Sequence, residues 1–68
     1  MQVSAVAKIR SQLGLTQNAL AKALRVSRAA IWNYEAEIRH PSKKVAYKLI
    51  DFALANGIRI SLEDVYPR

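Results

Sequence analysis

The sequence predicts an all-α domain of five short helices, the last of them replaceable by a short extended segment. Two observations carry this. Apolar residues recur at spacings of three and four through most of the chain, and four of the five periodic stretches begin after a Ser or Thr suited to cap a helix, at Thr16, Ser27, Ser42 and Ser61. Breakers then fall at three of the joins, as Gly14, Pro41 and Gly57.

From Ser4 to Leu13, Val6, Ile9 and Leu13 lie on one side, with Lys8, Arg10 and Gln12 between them, which predicts an amphipathic helix ended by Gly14. Thr16 caps a second, two-turn helix whose inner face is Leu20, Ala21, Ala23 and Leu24. Ser27 opens a third, with Ile31 and Tyr34 inward. Residues 36–41 have no period, and Pro41 keeps the residue before it out of helix, so a loop is expected. After Ser42, Val45, Ala46, Leu49, Phe52 and Ala53 form the stripe of a fourth helix that stops at Asn56-Gly57. In the tail, Ile58-Arg59-Ile60 alternates like a strand, whereas Ser61 to Val65 has a cap and acids in the first turn; a final short helix is the preferred reading.

With 68 residues the chain is expected to form one domain over 1–68. A domain of this size buries only about 60% of its unfolded surface, which leaves no room for a deep catalytic pocket. There is no cysteine, and the single His40 makes no metal site alone, so neither metal nor cofactor is expected. The acids Glu35, Glu37, Asp51, Glu63 and Asp64 have no His or Cys at catalytic spacing, so the chain does not read as an enzyme. Eleven Lys and Arg against five acids leave a net charge of +6, which favours a polyanion partner. No apolar run approaches the roughly 20 residues of a membrane span, and residues 1–10 do not read as a signal peptide. A cytoplasmic protein with no membrane or small-molecule partner is the expectation.

Residues Gln17 to Ala36 are the informative stretch: two short helices flank a tight turn, with apolar residues at Leu20, Leu24, Val26, Ile31 and Tyr34. Ala21 is small where the helices must cross closely. This spacing resembles the helix-turn-helix motif. The likeness extends over residues 4–56 to the lambda-repressor and Cro family, through Arg10, Leu13-Gly14-Leu15-Thr16-Gln17, Leu20-Ala21, Val26-Ser27, Ile31, Tyr34-Glu35 and Pro41-Ser42. The resemblance implies a five-helix lambda-repressor-like domain that binds double-stranded operator DNA, most like a phage Cro protein, with the third helix in the major groove.

With Ile31 and Tyr34 inward, Arg28, Ala29, Trp32, Asn33 and Ala36 share the opposite face of that helix. Arg28 suits guanine and Asn33 adenine, each through two bonds, and Ala29 suits a thymine methyl. Trp32 fits the sugar-phosphate backbone or a thymine methyl, although a lone Trp is as often partial core. Base contacts are therefore assigned to Arg28, Ala29, Trp32 and Asn33. The phosphate-contact candidates are Thr16, Gln17, Arg25, Ser27, Arg39, His40, Lys43 and Lys44, of which Gln17 is implied by the resemblance. Lys43 and Lys44 open the fourth helix, where cations oppose the dipole, which a nearby polyanion would explain. Simple capping or a solvated surface is the competing reading for these residues.

The resemblance further implies that Arg10 and Glu35 form a partly buried ion pair joining the first helix to the end of the third. Breaking such a pair costs roughly 3 to 5 kcal/mol where burial is deep. Arg25 stands where the family places a glycine, and left-handed backbone there would cost on the order of 1 kcal/mol. Ala36-Glu37-Ile38 likewise replaces the family's usual Asn or Gly after the glutamate. A homodimer on a pseudo-palindrome is expected, with Phe52, Ile58, Ile60, Leu62, Val65 and Tyr66 as candidates for the contact; closing the monomer's own core is their competing role. The alternative is a helix-turn-helix antitoxin whose apolar C-terminal third binds a protein instead.

Overall fold

In the computed structural model, residues 4–66 are described, and they form five helices and no strand: α1 (Ala5–Leu13), α2 (Gln17–Leu24), α3 (Arg28–Glu35), α4 (Lys43–Ala55) and α5 (Leu62–Val65). The first four start alike. The hydroxyls of Ser4, Thr16, Ser27 and Ser42, each on extended backbone, accept from the amides of Ala7, Ala19, Ala30 and Val45 at 3.1, 3.1, 3.0 and 3.3 Å. At α5, the Asp64 carboxylate accepts from the amide of Ser61 at 2.8 Å and from its hydroxyl at 3.2 Å.

These four helices also end alike. In each, an amide reaches back five residues to a carbonyl: Leu15 to Arg10, Val26 to Ala21, Ile38 to Asn33 and Ile58 to Ala53, at 3.2, 3.0, 3.0 and 2.8 Å. That bond requires the preceding residue to be left-handed, and Gly14, Arg25, Glu37 and Gly57 have φ of 71°, 56°, 61° and 80°. Two of these positions carry the glycine that such a turn favours. At Arg25 and Glu37, on either side of α3, a side chain accepts the steric penalty of about 1 kcal/mol.

Val6 and Ile9 of α1, Leu20, Ala21 and Leu24 of α2, Ile31 of α3 and Ala46 and Leu49 of α4 make one cluster. Leu20, Ile31, Ala46 and Ala53 are fully covered. The tail is part of this core. Residues 58–60 form no strand, and after them α5 packs against α1 and α4, burying Val65 to 3% exposure. Val65 therefore faces the interior and is withdrawn as a dimer contact. Phe52, Ile60, Leu62 and Tyr66 are half-buried against the same cluster, while Ile58 is half-buried beside it and Leu54 is exposed. The Tyr66 hydroxyl donates to the carbonyl of buried Pro41, fastening the tail to the loop that leads into α4. Burial, with Tyr34 and Tyr47 nearby, pushes the Tyr66 phenol above its ordinary pKa of 10.0.

If α5 completes the core in this way, Val65→Ala should lower unfolding stability by about 2 kcal/mol in a denaturant titration. A change within a few tenths of a kcal/mol would mean that the tail is dispensable to the fold.

Candidate nucleic-acid interface

The turn between α2 and α3 is short because the left-handed residue Arg25 reverses the chain and Ser27 restarts it at once. Ala21, 2% exposed, lets the helices approach, and Leu20, Leu24 and Ile31 fill the space between them. The Nζ of Lys48 on α4 donates to the carbonyl of Leu24 at 3.4 Å, bracing the end of α2. Nothing in the spacing marks Lys48 for this role, since a lysine between the apolar positions of a helix normally reads as solvated.

With its inner side filled, α3 turns Arg28, Ala29 and Trp32 outward, and Asn33 is half-exposed. Trp32 is 54% exposed and is therefore not core. Ala36 lies just past the helix but keeps a right-handed backbone, so it continues the same surface. The amides of Ile38 and Arg39 both donate to the carbonyl of Asn33, at 3.0 and 3.3 Å, drawing the start of the following loop back onto α3.

Thr16, Arg25, Ser27, Arg39, Lys43 and Lys44 are exposed. The hydroxyls of Thr16 and Ser27 serve their caps as acceptors, which leaves each O–H free to donate. Two candidates have other neighbours. His40, although exposed, lines a cleft with Glu37, Tyr34 and Tyr66, beside Ser4 and Ala5 at the start of α1. Gln17 is half-buried, and its amide donates to Glu35 Oε1 at 3.1 Å.

That bond belongs to a network joining three helices. Arg10 Nε and Nη2 donate to Glu35 Oε2 and Oε1 at 2.6 and 2.9 Å, and Arg10 Nη1 donates to the carbonyl of Leu15 at 2.8 Å. The guanidinium thus ties α1 to the end of α3 and to the segment entering α2, a fork-to-fork arrangement that fixes orientation as well as distance. The Arg10 and Glu35 side chains are 25% and 10% exposed, so the cost of breaking the pair falls below that of deep burial. Burial alone pushes the Glu35 carboxyl up, but the hydrogen bonds from Arg10 and Gln17 and the Arg10 charge outweigh it and hold the pKa below its ordinary 4.5. The hydrogen bond to Glu35 in turn raises the pKa of Arg10.

Because the folded-state pKa of Glu35 is depressed, its contribution to stability is complete above the ordinary value and is lost as pH falls through the folded one. The unfolding midpoint should therefore decline as the pH drops below 4.5. Glu35→Gln should cost on the order of 2 kcal/mol at neutral pH and make that decline shallower. An identical acid profile in the variant would remove Glu35 from the account.

Arg25 supports a second prediction. Arg25→Gly should stabilise the free protein by about 1 kcal/mol through relief of the left-handed strain, while weakening DNA binding by removal of a cation beside α3. Calorimetry and a binding titration separate the two effects, and unchanged affinity would reject the phosphate role.

Among the described residues, no helix is long and apolar enough to cross a membrane. A family profile described as helix-turn-helix matches residues 6–53, from α1 to near the end of α4. No curated protein and no solved structure matches the chain. The profile covers well over half of the sequence and brackets α2, the Arg25 turn and α3, so the chain belongs to the XRE-type helix-turn-helix family of DNA-binding transcription regulators.

Proposed function

We propose that this chain is a Cro-like repressor that binds a pseudo-palindromic operator as a homodimer, with α3 in the major groove. The observation that carries the reading is the outward face of α3, where Arg28 in the first turn and Asn33 further along stand exposed or half-exposed on a helix with no acid among its outward residues. Arg28 pairs with the O6 and N7 of guanine, Asn33 pairs with adenine, and Ala29 and Trp32 contact bases between them. Thr16, Ser27, Arg25, Arg39, Lys43 and Lys44 bind phosphates and set the register, with Gln17 and His40 as secondary contacts. The net charge of +6 supports fast, salt-sensitive association.

One reading helix covers only a few base pairs, so specificity calls for two copies about 34 to 36 Å apart. With Val65 enclosed, the contact falls to exposed Leu54 and to the half-buried Phe52, Ile58, Ile60, Leu62 and Tyr66. The same outward Leu54, 55% exposed, favours a second reading in which this end of the molecule binds a toxin-like protein partner.

Selection of bound duplexes from a random pool, followed by titration at several salt concentrations, tests the proposal. The expected result is a two-fold-symmetric consensus with a steep negative salt slope. Arg28→Ala should lose about 10- to 100-fold in affinity, with relaxed preference at one base position in each half-site. An asymmetric consensus would overturn the dimer, and weak binding to every sequence would favour the protein-partner reading.

A further inference from the structure

At about 100° of rotation per residue, the outward residues of α3 follow one another around the helix in the order Arg28, Trp32, Ala36, Ala29, Asn33. The polar residues stand at the two edges and the centre is apolar. Trp32, 54% exposed, is the largest group there, and the alanines beside it project too little to hold a partner away from the ring. The monomer has no use for this ring, because Ile31 and Tyr34 already fill the inner side of the helix. A large exposed indole between two hydrogen-bonding edges has the make-up of an interface anchor, a role in which tryptophan is enriched.

Charge narrows what covers it. Arg25 and Arg28 adjoin the strip, no acidic residue lies on it, and the chain carries +6 overall, so the partner is a polyanion. The floor of a DNA major groove is polar at every base pair except for one apolar substituent, the 5-methyl group of thymine. We propose that the centre of α3 reads thymine methyl groups, with Trp32 as the specificity-determining residue and Arg28 and Asn33 reading the bases that flank them. This inference rests on the DNA-binding reading and adds to it a chemical class of target: half-sites with thymine at the middle, bounded by a guanine and an adenine.

Replacing each thymine of the selected operator in turn by deoxyuridine tests it, because uracil keeps every hydrogen-bonding group of thymine and lacks only the methyl. The intact protein should lose about fourfold in affinity for each methyl that Trp32 covers. At the thymines that Trp32 covers, Trp32→Ala should bind the thymine and uracil operators equally while unfolding close to the temperature of the parent, since the ring is outside the core. Trp32 is the single tryptophan, so its emission in the unmodified protein should shift with the thymine operator and shift less with the uracil one, a readout that needs no variant. Equal affinity of the intact protein for both operators would overturn methyl readout and leave DNA binding standing, and discrimination that survives undiminished in Trp32→Ala would overturn the assignment to Trp32. Failure to enrich any duplex in the selection would instead overturn the DNA-binding reading, and this inference with it.

Discussion

The rest of the molecule depends on the contact between Arg10 and Glu35. Helices this short bury little surface in pairs, and α3 offers only Ile31 as a fully enclosed side chain, so hydrophobic packing alone leaves its tilt weakly determined. The fork of Arg10 supplies the missing constraint. It grips both carboxylate oxygens at the end of α3 and the carbonyl of Leu15 ahead of α2, while Gln17 closes the fourth side. Apolar contacts tolerate sliding, whereas a two-bond ion pair does not. The pair thereby contributes angular definition to α3 beyond its contribution to stability.

Turn chemistry does complementary work along the backbone. One closing bond recurs at the ends of α1 to α4, and the residue completing each turn is apolar: Leu15, Val26, Ile38 and Ile58. Leu15 and Val26 pack on the core, so there each turn also pulls the incoming chain onto the centre of the domain. The two strained positions, Arg25 and Glu37, lie on either side of α3. Strain at such positions persists because the surrounding contacts over-determine it.

Much of this was legible in the sequence. Period and caps placed all five helices within a residue or two, because hydroxyl caps and the three-four apolar spacing are local signals. Arg25 stood out because a glycine was expected there, and the backbone has the left-handed conformation that makes glycine favourable. Less was legible where long or terminal side chains choose partners. Lys48 on the Leu24 carbonyl, Gln17 on Glu35 and Tyr66 on Pro41 join residues 24, 18 and 25 positions apart, and no periodicity specifies them. Val65 stands among the candidates for a dimer contact, with core closure as its competing role, because a surplus of apolar residues does not say which of them closes the core and which is left over. The placement of α3 on DNA depends on a partner and is beyond what local pattern determines.

The tail separates two boundaries that are easily taken as one. The recognisable motif ends within α4, yet Val65, from beyond it, is in contact with the same cluster as Val6 and Ile9 of α1, and Tyr66 is bonded to the loop before α4. A segment excised at the edges of the motif and grafted into another scaffold would carry every outward side chain of α3 and still present an open slot between its first and fourth helices. The portable unit for transplantation is therefore longer than the recognisable one.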